Sequence, residues 1–232
     1  MVYLILVITI LILPMRATKA IPFKGKKKYA VLVDGECEFW YFQMIKRNKR
    51  DLQIDLKPEI PQKKKLGDQY KKVCEYAKDY DKVIWILDLD VISDETRKVK
   101  KGAKTAMQEF KEYHNALEKH KNVMVIVNNP CLEFWFLLHF EATSKFFNDC
   151  KGAAKKLNKY LIGYEKTETY YTKKDNDIFL KLEPYLKTAI ANAGKFNKFS
   201  FDNTQTGLAE MHTLFELEEL KSITDKNDLK IK

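Results

Sequence analysis

Cysteine is scarce in this chain, and the placement of its 4 copies among 232 residues excludes more than their number does. Cys37, Cys74, Cys131 and Cys150 form no C-x-x-C pair and no Cys/His metal spacing, and their wide separation suggests no disulfide framework. A thiol-ligated metal centre is therefore not expected, and a reducing, cytoplasmic setting is. No internal repeat or low-complexity tract is present. Nor is there a hydrophobic run of the ~20 residues that a membrane-spanning helix needs. The longest, MVYLILVITILILP at positions 1 to 14, has no basic segment before it and only a loose cleavage pattern at Thr18 to Ala20. Three readings of it stay open: an upstream extension of a protein that starts at Met15, a signal or anchor segment, and a helix packed on the domain. No stable membrane association is expected.

Acidic charge is the minority charge. The chain carries 42 Lys and Arg against 32 Asp and Glu, a formal net charge of +10. With 45% hydrophobic residues it can bury a sizeable core, and its basic surplus suits a polyanion such as nucleic acid. From residue 28 strands and helices alternate. KYAVLV (28 to 33), LQIDLKPEI (52 to 60), KVIWILDLD (82 to 90) and NVMVIVN (122 to 128) read as strands, mostly without the polar alternation of a half-exposed sheet. EFWYFQMIKRNKR (38 to 50), GDQYKKVCEYAKDY (67 to 80) and AKTAMQEFKEYHNALEKH (103 to 120) read as helices. The expected fold is α/β: a mostly parallel four-stranded sheet of Rossmann-like type over residues 26–142, flanked by helices. It follows a leader of residues 1–25. A helical extension follows at 143–222, in which GLAEMHTLFELEELKSI is one helix, and then a polar tail at 223–232.

The acids are not scattered. In open parallel sheets ligands bind beyond the carboxyl ends of the strands, and here those ends read Asp34-Gly35-Glu36 and Asp88-Leu89-Asp90. In extended backbone, residues i and i+2 face the same way, so Asp34 with Glu36 and Asp88 with Asp90 can each point to one side. Carboxylates gathered in this way repel unless a cation neutralises them, and their hard oxygens suit Mg²⁺ or Mn²⁺. The bland alternatives are helix capping by Glu36 or Glu38 and a plain turn at DLD. A third acid, Glu133, sits in the otherwise apolar stretch CLEFWFLLHF, either as a ligand or as the buried partner of a Lys or Arg. His139 is expected to be a satisfied helix-end histidine and Cys131 a packing residue.

The segments VDGECEFWYF, DLD, NNPCLEFWFLLHF, YEK (164 to 166) and AIANA (189 to 193) together resemble the RloB family of Toprim-like proteins, a likeness that covers residues 28 to about 216. The resemblance implies a Toprim-type, metal-dependent nuclease fold tied to bacterial anti-phage defence and restriction loci, often beside a partner ATPase. It implies a catalytic acid after the first strand, Asp34 or Glu36, and a metal-binding pair, Asp88 with Asp90. Toprim domains usually carry Glu before the glycine where this chain has Asp34, which makes Glu36 the candidate equivalent. The candidate catalytic set is thus Asp34, Glu36, Asp88, Asp90 and Glu133, with Glu36, Asp88 and Asp90 on the metal.

Phosphate contacts are sought in the basic runs: Lys46, Arg47, Lys49 and Arg50 of KRNKR, KKK (63 to 65), RKVKK (97 to 101), and Lys166 in YEKT. Two competing readings remain. The DLDV stretch also resembles the nucleophile motif of haloacid-dehalogenase-like phosphatases, but that motif follows the first core strand, not the third, and needs a later acid pair that is missing here. The other is a degenerate scaffold that binds nucleic acid or an ATPase without cutting. No spacing singles out one of the 12 tyrosines as a nucleophile, and nothing resembles a base-reading motif that separates DNA from RNA.

Overall fold

The Val- and Ile-rich runs pair side by side, as strands covered on both faces should. A computed structural model of the chain describes residues 25–61, 65–196 and 198–225. Strands β1 (Lys27–Leu32), β2 (Ile54–Glu59), β3 (Lys82–Asp88) and β4 (Val123–Asn129) are all parallel, in the order β2-β1-β3-β4. The register sets Leu32 beside Glu59 and Trp85, and Asp88 beside Asn128. β2 lies on the sheet edge, which is where its Pro58 is tolerated.

The sheet has a fifth strand that the sequence reading assigned to a helix. Leu208–Ala209 forms β5, antiparallel to β4, with Leu208 opposite Asn129 and Ala209 opposite Asn128. The helix-like apolar spacing of GLAEMHTLFELEELKSI reflects inward-facing Leu208, Met211, Leu214 and Phe215, but only His212–Phe215 and the start of a last turn at Ser222 are helical there. The deciding interaction is long-range: the β4 edge offers unpaired backbone groups, and Glu210 meets Val127 through both its amide (3.0 Å) and its side chain (3.1 Å). Gly207 permits the approach, because a Cβ there would sit 2.3 Å from the Lys145 carbonyl oxygen and 2.5 Å from the Phe134 ring.

Alternation along the strands divides the core into two layers. Tyr29, Val31, Val33, Ile84, Ile86 and Ile126 face α1 (Glu36–Asn48) and the later helices α5 (Leu132–Leu138) through α9 (Leu186–Ala193). Ala30, Leu32, Val83, Trp85, Leu87 and Val127 face α2 (Leu66–Asp79), α3 (Leu89–Lys98) and α4 (Ala106–Leu117). Helix α4 has the clearest local signal, a capping box in which Thr105 accepts from the Gln108 amide and Gln108 accepts from the Thr105 amide. α6 (Cys150–Leu157), α7 (Glu168–Thr172), α8 (Ile178–Leu182) and α9 bury Leu157, Tyr171, Ile178, Phe179, Leu182 and Leu186 in the layer that holds Val31 and Ile84, so residues 143–222 share the core of the sheet domain. The expected tail begins buried, with Ile223 fully enclosed in a last turn at Ser222–Asp225. The apolar leader lies outside the described residues. Among the described residues no helix is long and apolar enough to cross a membrane.

Candidate active site

Strand order β2-β1-β3-β4 reverses direction between β1 and β3, and at such a switch point the chains leaving the two strands part and open a crevice. The chain after β1 brings Asp34 and Glu38, the end of β3 brings Asp88 and Asp90, and β4 leads through Pro130 into α5 and Glu133. Five carboxylates from three strand ends thus collect at one end of the sheet.

Which acid follows β1 differs from the expectation. The helix begins at Glu36, directly after Gly35, so the extended alternation stops there. In a helix residues i and i+2 point nearly opposite ways. Glu36 is exposed, and Glu38 is buried at 4%. A usable signal was present: Glu38, Tyr41, Phe42 and Ile45 recur at i, i+3, i+4 and i+7 and are all buried, which puts Glu38 on the inward stripe. Gly35 leaves room for it, since a Cβ at residue 35 would lie 2.8 Å from Glu38 Oε2.

The same correction applies to DLD. Asp88 ends β3, but α3 starts at Leu89, so Asp88 and Asp90 are held by a strand-to-helix turn and not by an extended segment. Asp90 is fixed on two sides: its amide donates to the Pro130 carbonyl (3.1 Å), and its Oδ2 accepts from the Cys150 amide (3.0 Å). Asp88 Oδ1 is buried and has no hydrogen-bond partner among the described residues. Asp34 accepts from Gln69 Nε2 (3.1 Å), and Gln69 Oε1 accepts from the Trp85 indole (2.9 Å), a relay that anchors the first acid to the sheet.

The charges feel one another. Burial, then the charges of Glu133 and Asp34, push Glu38 up to about 7. Asp88 is raised well above the carboxylate range by burial and by Glu38, Glu133, Asp90 and Asp34. Burial raises Asp90 too, opposed by the amides of Cys150 and Val91. Glu133, 1% exposed, accepts from Lys166 Nζ (2.8 Å) and from the Tyr164 hydroxyl (2.6 Å). Both readings of Glu133 therefore meet in one place: it is the partner of a lysine, inside the acid cluster. Burial works to lower the Lys166 pKa, but the Glu133 carboxylate outweighs it and the ammonium is held above its ordinary range.

The basic runs are placed elsewhere. Arg47 donates to Asp177 (2.6 Å) and to the Thr172 carbonyl (2.7 Å), and Lys49 pairs with Glu183. Lys46 lies 3.4 Å from Asp55, and with Lys49, Arg50, Lys26 and Lys28 it lines a groove of about 460 Å³ at the amino-terminal ends of β1 and β2, the opposite end of the sheet from the acids. Of the five cations singled out, only Lys166 reaches the acid cluster. Residues 63 and 64 of KKK lie outside the described residues, and Arg97 pairs with Asp94.

Cys131 and Cys150 are joined in a disulfide with Cα atoms 5.6 Å apart, contrary to the expectation of unpaired thiols. Their separation of 19 in sequence carries no motif; the fold brings them together, by setting the residue before α5 against the first residue of α6. Glu133 Oε2 abuts both sulfurs at 2.9 and 2.6 Å, contacts without a hydrogen bond because neither sulfur bears a proton. Asp90, Cys131 and Cys150 have donor atoms within 4.8 Å of one another, and they are the one such trio of Asp, Glu, His or Cys among the described residues. With the sulfurs bonded to each other they are not thiolate ligands, and among the described residues the carboxylates do not close into a shell. Cys37, pushed up to about 12 by burial and by Glu38 and Glu133, is a poor nucleophile. Tyr164, raised by burial and held by Glu133 and Tyr171, is one too.

Residues 29–218 match the family model described as RloB-like protein. No curated protein and no solved structure matches the chain.

Proposed function

The chain belongs to the RloB-like family, and from that premise we propose that it is a Toprim-like, divalent-metal-dependent phosphodiesterase that cuts nucleic acid in the cytoplasm in bacterial phage defence, beside a partner ATPase. One observation carries the reading: the acids at the β1 and β3 ends are driven toward protonation by burial and by one another, and Asp88 Oδ1 is buried with no partner among the described residues. Such an arrangement is costly by itself and is relieved by a cation. The donors are hard oxygens, which fit Mg²⁺ or Mn²⁺. Asp88, Asp90 and Glu38 are the residues to hold it. Once bound, the ion supplies charge stabilisation for the attacking and leaving oxygens of a phosphodiester.

The protein groups divide the remaining work. Asp34, held by Gln69, orients from the β1 side. Glu38, pushed up to about 7 by burial and by the charge of Glu133, gives up its proton when it takes the ion as a ligand. Lys166, half-exposed and tied to Glu133, presents a fixed ammonium to a phosphate oxygen.

A melting series with Mg²⁺ and Mn²⁺, run beside a cleavage assay on mixed DNA and RNA, tests this. The wild type should gain about 2.7 kcal/mol at a metal concentration 100 times Kd, and the Asp88→Asn, Asp90→Asn double variant should lose both the shift and the cleavage. Equal stabilisation of the two proteins removes the metal from this site. Lys166 favours a second reading, a scaffold that binds nucleic acid or an ATPase without cutting, because its ammonium already offsets part of the acid charge. Nucleic-acid binding with neither a metal shift nor cleavage would select that reading.

A further inference from the structure

Beside Asp90, between α3, the connection that carries residues 146–148 and the loop at 204–205, lies a pocket of about 320 Å³. That volume is in the range of small-molecule sites, and its lining is mixed in a particular way. Phe146 is 38% exposed and has no ring partner among the described residues, whereas its neighbour Phe147 packs edge-on against Phe134 at 6.2 Å and closes over Gly152. The side-chain amides of Asn148 and Gln205 are exposed at the pocket and make no hydrogen bond among the described residues. Asn129, by contrast, spends its amide on the wall, donating to the carbonyls of Thr204 and Thr206 at 2.8 Å each, so the loop that bears Gln205 is fixed to the end of β4. Arg97 stands at the rim.

We infer that this pocket receives one unpaired nucleobase of a single-stranded or looped nucleic acid, next to the phosphate presented to the acid cluster. An aromatic face with nothing stacked on it suits the face of a base. Primary amides, each with two donors and an acceptor, suit the mixed edge that a base exposes when its pairing partner is gone. A purely apolar ligand would leave the amides unmet, and a base inside a duplex has both its edge and its faces occupied. The position of the scissile phosphate rests on the phosphodiesterase reading above; the pocket for the base does not.

The test uses the full chain and 12-nucleotide strands, RNA and DNA, with 2-aminopurine at one position in turn, in Ca²⁺ and in EDTA, against the same strands annealed to their complement. Quenching of 2-aminopurine in one single strand but not in the duplexes, lost in Phe146→Ala and restored in Phe146→Tyr, is the expected result. Loss of the ring should weaken single-strand affinity about tenfold, with a smaller loss in Asn148→Ala. Equal affinity for strand and duplex, or unchanged quenching and affinity in a Phe146→Ala protein that melts like the wild type, overturns the inference. Cleavage is read separately in Mg²⁺: strands that are quenched but stay intact leave the pocket standing and remove the nuclease.

Discussion

The His139 imidazole is buried at 1% exposure, and burial holds its pKa down to about 4. Nδ1 lies 3.0 Å from the Trp135 carbonyl, so that nitrogen donates in the neutral ring, and Nε2 is enclosed with no partner among the described residues. Between the ordinary value of 6.5 and about 4, the unfolded chain takes up a proton that the folded chain refuses. The contribution of the neutral ring is therefore present above the upper value and lost as pH falls through this window, with a full size on the order of 3 kcal/mol. Glu38 runs the other way. Its folded value of about 7 exceeds the ordinary 4.5, so the folded chain keeps the extra proton and stability is lost as pH rises from about 4.5 to about 7. Melts in EDTA from pH 4 to 8 should show His139→Gln with a flattened acid limb. Glu38→Gln should melt above the wild type beyond pH 7 and lose that advantage near pH 4.5; parallel curves for Glu38→Gln and wild type would refute the assignment. The sequence showed where the acids gather, because strand ends are legible from apolar runs. Which acid turns inward was legible only in the helical spacing of Glu38, Tyr41, Phe42 and Ile45, which reading Asp34 to Glu36 as extended backbone hides.

The basic run at the end of α1 has its explanation at the scale of elements. Asp177 is 3% exposed at the start of α8 and accepts from Arg47 (2.6 Å), from Asn48 (2.7 Å) and from the amides of Phe179 (2.9 Å) and Leu180 (3.2 Å). These residues fasten α8 to α1. Removing one partner of a buried charge costs more than the pair contributes, and the half-exposed Arg47 moderates that cost. Arg47→Ala should destabilise by about 1–3 kcal/mol and leave affinity for nucleic acid within about twofold. A loss of binding at unchanged melting temperature would return Arg47 to the role of a phosphate contact. α1, α2, α4, α5 and the first four strands were legible, the helices by their spacing or apolar run and the strands by their Val- and Ile-rich runs. β5 and α3 were not: two residues hold no period, the run to Asp90 reads as strand, and both are set by neighbours distant in sequence, the β4 edge and the Pro130 carbonyl.

For the whole molecule, the Cys131–Cys150 disulfide joins the sheet domain to the helices that follow it. Closing a loop of this length lowers the entropy of the unfolded chain by the equivalent of about 3 kcal/mol. Dithiothreitol should lower the melting temperature accordingly. Cys150→Ser should melt at one temperature with or without reductant; a wild-type protein insensitive to reductant would show that the bond contributes nothing to the folded state. The order of the chain has a further consequence. β1, β3 and β4 bring the acids together from the first 133 residues, whereas Lys166, Gln205 and the closing pair Leu208–Ala209 come late. A polypeptide made from its amino terminus thus carries all five acids long before its ammonium, the far wall of the base pocket and the last strand exist. While those later residues are still inside the ribosome, surrounded by RNA, the site stays unfinished, and it closes only once Leu208–Ala209 has emerged.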